Sequence, residues 1–133
     1  RLYLFVEDEF GWGGGSSIDT FNPSSLQLDT FSDASQLRSG EGCLNSFGDD
    51  LIFYSWDTFY VLDVNTQSWT IYGDLQTSRT RHWPSCAINQ GYLYVIGGKG
   101  GMSTLEEDTI EKIYINDIDN VAQQSWILLA AVP

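Results

Sequence analysis

The sequence predicts an all-β chain made of copies of one antiparallel unit. Short runs rich in Val, Ile, Tyr, Phe and Trp alternate with Gly, Ser, Asn and Asp clusters, and no stretch keeps a helical period over three turns. The chain also repeats itself. Residues 61–71 (VLDVNTQSWTI) match residues 18–28 (IDTFNPSSLQL) at an offset of 43, which places Asn22 on Asn65, Ser25 on Ser68, Leu26 on Trp69 and Leu28 on Ile71. The same offset carries Arg38 onto Arg81 and Cys43 onto Cys86. A period in the forties with four strands per repeat marks a β-propeller blade.

The elements follow in order. The first unit, residues 1–37, should hold strands near 2–6, 17–21 and 26–31 and lacks its innermost strand. The second, residues 38–80, should hold strands near 42–47, 51–56, 59–64 and 68–72. The third, residues 81–133, should hold strands near 85–89, 92–97, 109–115 and 125–129. Gly48-Asp49, Asp57-Thr58, Asn65-Thr66 and Asn89-Gln90-Gly91 supply turns. Trp126 lies 57 residues beyond Trp69, so the third unit carries an insertion of 14 residues, which falls in the Gly-rich and then acidic stretch 97–108. Loops absorb such length at small entropic cost.

Composition narrows the function classes. An apolar fraction of 42% and an aromatic fraction of 14% suit packed sheets. A net charge of −12, from 18 acids against 6 bases, argues against nucleic acid, which calls for clustered Lys and Arg. No run approaches the ~20 apolar residues of a membrane span. The one histidine, His82, has no partner at a metal-ligand spacing, and the glycine runs 11–15 and 97–101 do not open a helix that could cradle a phosphate. No cofactor, metal or catalytic residue is therefore expected.

Two tryptophans, Trp69 and Trp126, fall near the middle of last strands, where a large ring fills the wedge between stacked sheets. Gly97 and Gly98 end a buried strand where the backbone turns sharply or approaches a neighbour. Arg38 and Arg81 precede innermost strands and are suited to satisfying loop carbonyls or pairing with an acid of the next blade. Cys43 and Cys86 occupy matching places in two repeats. The expected reading is two reduced, buried packing residues; a disulfide between neighbouring units is the alternative and needs their Cα atoms within about 7 Å.

The stretch from Arg81 to Trp126 resembles the kelch repeat family. It has Arg81, the small-residue strand Ser85-Cys86-Ala87, the strand Tyr92-Leu93-Tyr94-Val95-Ile96 ending in Gly97-Gly98, then Glu111 and Tyr114, then Trp126. The second unit keeps Arg38, Cys43, Tyr60 and Trp69 but has Ser55-Trp56 at the diglycine position. The first keeps the strand Leu2–Val6, a displaced Gly13-Gly14-Gly15 and the Asn22-Pro23-Ser24-Ser25 turn. The resemblance implies a kelch-type propeller. Kelch-like propellers also occur in copper radical oxidases resembling galactose oxidase, but those need Tyr and His copper ligands, and this chain has no His pair.

The expected function is a non-catalytic protein-interaction or scaffold module within a larger propeller or assembly. One alternative is a structural subunit of a ring or fibre of repeated copies; another is a piece of an oxidase or sugar-processing propeller. The candidate partner-binding loops carry Glu7, Asp8, Glu9, Glu106, Glu107 and Asp108 on one side and Arg38, Arg79, Arg81 and His82 on the other, all placed by the meander on one face. The chain is too short to close a ring of ~4–8 blades. The isolated chain is thus expected not to be a stable free monomer, its missing strand and blades coming from further sequence or from other copies.

Overall fold

The structure, a computed structural model, describes residues 2–6, 17–33, 42–73, 75–78, 80–100 and 109–129. Thirteen strands and one 3-10 turn are present among them: β1 (Leu2–Val6), β2 (Ser17–Asn22), β3 (Gln27–Asp33), β4 (Gly42–Phe47), β5 (Asp50–Ser55), β6 (Thr58–Asp63), β7 (Ser68–Tyr72), β8 (Arg81–His82), β9 (Ser85–Asn89), β10 (Tyr92–Ile96), β11 (Lys99–Gly100), β12 (Ile110–Tyr114), the 3-10 turn Ile118–Gln123, and β13 (Ile127–Leu128). All eleven expected strands are there, so the all-β reading holds. Two-residue β8 and β11, which pair with each other, and the 3-10 turn are additions.

The chain divides into two compact units, Arg1–Gly40 and Glu41–Pro133. In the first, β1, β2 and β3 form a three-stranded antiparallel meander. Tyr3 meets Phe31 edge-to-face at 5.3 Å on one side of it. The four-residue turn between β2 and β3 ends on Leu26 in the left-handed region, φ 55°.

The second unit holds two four-stranded antiparallel meanders, β4-β5-β6-β7 and β9-β10-β12-β13. Each begins with a hairpin on a two-residue turn: Phe47 pairs with Asp50 around Gly48-Asp49, and Asn89 pairs with Tyr92 around Gln90-Gly91. Gly48 has φ 59°, and Gln90 and Gly91 have φ 49° and 77°, the left-handed geometry that matches the strand twist in so short a turn. These turns fix the equivalence of the two sheets. Phe47 corresponds to Asn89, an offset of 42 rather than the 43 read from sequence identity. Because side chains alternate along a strand, one residue of slip exchanges the faces of the sheet.

The offset of 42 explains the packing. Ile52, Tyr54, Phe59 and Val61 from one face of β5 and β6 bury against Leu93, Val95 and Ile113 from β10 and β12, with Ile115 and Val121 closing the cluster. By register, Leu93 and Val95 correspond to Leu51 and Phe53, which lie on the other face of β5. The two sheets thus meet through opposite faces. That second face of β5 and β6, with Leu51, Phe53, Tyr60 and Leu62, is also buried, so these strands read as continuous apolar runs.

The cysteines are corrected by this register. Cys43 and Cys86 form a disulfide with Cα atoms 5.9 Å apart, not two reduced thiols. Residues 43 apart in sheets whose true offset is 42 lie on opposite faces, and opposite faces are the ones that meet. Cys43 shares a face with Tyr54, its pair on β5, and Cys86 with Val95, its pair on β10. Both sulfurs therefore point into the seam, where Asn45 Nδ2 donates to Cys86 Sγ at 2.9 Å.

Candidate functional site

One end of the second unit is organised around Arg81. Its backbone N–H donates to Trp56 O at 2.7 Å, which ties the connection between the sheets to the β5–β6 turn. Its side chain is fully buried. One guanidinium nitrogen donates to the carbonyls of Gly97 and Thr109, each at 2.9 Å; the other donates to Thr109 Oγ1 and to the Glu111 carboxylate, each at 2.8 Å. The second Glu111 oxygen accepts from the Ser78 N–H at 2.7 Å. Two carbonyls, a hydroxyl and an amide satisfy most of the pair's remaining donors and acceptors, while the buried Arg81 Nε makes no hydrogen bond. Glu111 lies in the same repeat unit as Arg81 and not in the next, so the loop-carbonyl role and the acid role both apply, the latter within one unit.

Gly97 and Gly98 complete the base. Both have positive φ, 63° and 95°. A Cβ on Gly98 would stand 2.8 Å from His82 O and 3.2 Å from the Arg81 Cβ, so only glycine lets the strand end pass this close. The turn frees Gly97 O to accept from Arg81.

Aromatic side chains stand on this base. Trp56 occupies the β5–β6 turn with φ 62°, a conformation costly for a bulky residue. It is held there because Tyr54 Oη and the Arg81 N–H both donate to its carbonyl. The His82 ring packs on Trp56 at 4.5 Å and on Trp83 at 5.9 Å. Trp83 also has positive φ, 50°, and is 63% exposed. Lys99 Nζ lies 5.8 Å from the centroid of its ring. A half-buried His and two tryptophans with strained backbones thus meet a lysine at one end of the sheets.

The remaining sequence-derived residues fall as follows. Trp126, just before β13, inserts between the sheets: its ring meets Tyr54 at 5.9 Å and Phe59 at 6.2 Å, and its Nε1 donates to Leu75 O at 2.6 Å. Trp69 pairs with Leu62 and so lies on the opposite face of its own sheet from Tyr54. Glu7, Asp8, Glu9, Arg38, Arg79, Glu106, Glu107 and Asp108 lie outside the described residues. Sequence reasoning missed Trp56, Trp83 and Lys99. The signal for Trp83 was a large ring beside Pro84 in a connecting segment, which a core role does not require.

Beside this end lies a groove of about 300 Å³ lined by Gln76, Ser78, Glu111, Gln124 and Trp126. Its carboxylate is already committed to Arg81 and the Ser78 amide. Among the described residues no three His, Cys, Asp or Glu side chains gather as a group that could hold a metal ion. No described helix is long and apolar enough to cross a membrane. Comparison with protein-family models finds no match, and none of the curated proteins matches the chain.

Proposed function

We propose that this chain is a non-catalytic protein-interaction module, a stretch of kelch-like propeller whose loop end around Trp83 receives a partner. The observation that carries the reading is Trp83 itself: a strained, mostly exposed tryptophan with a lysine over its ring, mounted on a fully buried Arg–Glu base. Strained residues persist where the surroundings over-determine them, and such places are drawn toward ligand contact. Exposed tryptophan on a rigid support is also the residue type that anchors protein interfaces. The propeller part of the reading is supported by two sheets that meet through opposite faces, since only such packing can be repeated by a further sheet.

The partner is a protein segment presenting an apolar or aromatic side chain to Trp83 and an acid to Lys99. Peptides selected from a displayed library against the whole chain should fall into a group lost in Trp83→Ala and weakened in Lys99→Ala, with melting temperatures unchanged. Selected peptides that bind Trp83→Ala as tightly as the wild type would overturn the reading.

A second reading, a structural subunit of a ring or fibre, is favoured by a separate observation. Exposed apolar residues lie on the sheets of both units, Leu2 and Leu28 in the first and Ile71, Ile127 and Leu128 in the second.

A further inference from the structure

Cys43, Asn45 and Phe47 alternate onto one face of β4, opposite Tyr54, Ile52 and Asp50 of β5. Cys86 and Ile88 share a face of β9 in the same way. Both cysteines, Phe47 and Ile88 pack against the buried cluster of the seam. Asn45 is the polar member of this row. A bridge that served packing alone would be better flanked there by Val or Leu. Instead the Asn45 amide reaches Cys86 Sγ at 2.9 Å. A disulfide sulfur carries no proton, so the amide meets it as the donor.

The bridge also lies where a reagent can reach it. β4 and β9 are edge strands of their sheets, and both cysteines are half-buried rather than sealed. Other ties between the two sheets lie elsewhere. Trp126 Nε1 holds Leu75 O beyond the far strands, and the Arg81 N–H holds Trp56 O at one end. The cluster built on Ile52, Tyr54, Leu93 and Val95 fills the middle. None of these runs through sulfur. Breaking the S–S bond therefore frees the β4–β9 edge and leaves the rest of the seam closed.

We infer that Cys43–Cys86 is a redox switch, opened in the folded protein by a dithiol that attacks Cys43 while Cys86 leaves as the thiolate. The inference is independent of the Trp83 surface. One thiolate of the reductant bonds to Cys43 Sγ. The Cys43–Cys86 bond breaks, and its electron pair goes to Cys86 Sγ, where the Asn45 N–H stabilises the growing charge. A thiolate so stabilised leaves faster. The second thiolate of the reductant then attacks its partner sulfur in the mixed disulfide and releases Cys43. The reductant departs as a disulfide, and the two cysteines gain its two electrons and, by way of solvent, two protons.

Glutathione, a monothiol, reports the direction of the first step. The oxidised full chain is treated briefly without denaturant, quenched with excess N-ethylmaleimide and mapped by peptide mass spectrometry. Glutathione on Cys43 with maleimide on Cys86 should exceed the reverse labelling by about threefold or more, the size of effect one hydrogen bond supplies. Asn45→Ala should lose that preference. With dithiothreitol, thiols should appear at a rate indifferent to urea below the unfolding transition, because no global opening is needed. The absence of any adduct, labelling shared equally between the cysteines, or a preference that survives in Asn45→Ala would each overturn the inference. So would a reduction rate that climbs steeply with urea, since the bridge would then yield only in the unfolded chain.

Discussion

Arg81 donates to the Glu111 carboxylate at 2.8 Å with both side chains out of water. The pair joins the start of the third repeat to its β12 strand and holds the diglycine turn through Gly97 O. Removing one partner leaves a buried charge uncompensated, which costs about 3–5 kcal/mol. Arg81→Ala and Glu111→Ala should each lose that much in urea denaturation. Arg81→Lys should not rescue the fold, because one ammonium cannot span four acceptors in a planar fork. A loss under about 1 kcal/mol in either alanine variant would show that the network is not the base described.

The Cys43–Cys86 disulfide should stabilise the second unit by a loop-closure effect. The bridge joins residues 43 apart, and in the chain-entropy picture a loop of this length contributes about 4 kcal/mol. Denatured, unreduced protein should titrate no free thiol, and reductant should lower the unfolding midpoint. Two titratable thiols, or a midpoint indifferent to reductant, would contradict the bridge.

Trp126 contributes packing and one hydrogen bond, and the two are separable. Trp126→Ala removes the ring from between Tyr54 and Phe59 and should cost about 3 kcal/mol. Trp126→Phe keeps much of the ring but loses the bond to Leu75 O, for about 1 kcal/mol. Equal losses in the two variants, read from thermal or urea melts, would show that packing is not the larger part.

Much of the fold is legible in the sequence because alternation and turn chemistry are local. Leu51–Tyr54 and Tyr60–Leu62 announce buried strands, and Gln90-Gly91 announces a tight turn. The register between repeats is less legible. Matching cysteines and arginines suggested 43, while the turns set 42, and the one-residue difference decides which faces meet and whether Cys43 can reach Cys86. Strands β8 and β11 were invisible because two-residue pairs have no periodicity. The site was half legible. Arg81 and the diglycine stood out by position, but Trp56 and Trp83 depend on left-handed backbone that residue type argues against. At Trp56 the carbonyl accepts from the distant Arg81 N–H and from the nearby Tyr54 Oη, and these bonds hold the conformation.

The last prediction concerns the acidic end of the second unit, where two carboxylates respond to pH in opposite senses. Burial, together with Asp63, Asp119 and Asp49, raises the Asp50 pKa above its ordinary 3.8. The folded state therefore holds that proton more tightly than the unfolded chain. Its favourable contribution is complete below 3.8 and is lost as pH rises through the raised folded value, so ionised Asp50 opposes folding at neutral pH. Asp63 runs the other way. The backbone N–H of Thr66, with that of Asn65, holds its pKa below 3.8, so its contribution is present above that value and fades only as pH falls through the lower folded one. Asp50→Asn should thus stabilise the protein near pH 7, by about 0.5 kcal/mol at most because the group is only half-buried and is screened by solvent. The gain should vanish near pH 3, where the wild-type carboxyl is protonated. Asp63→Asn should destabilise near pH 7, since the neutral amide is a weaker acceptor for the two turn amides. Paired thermal melts at the two pH values read both effects. An Asp50→Asn variant that is less stable than wild type at neutral pH, or equally favoured at both, would mean that its carboxylate is compensated by a cation.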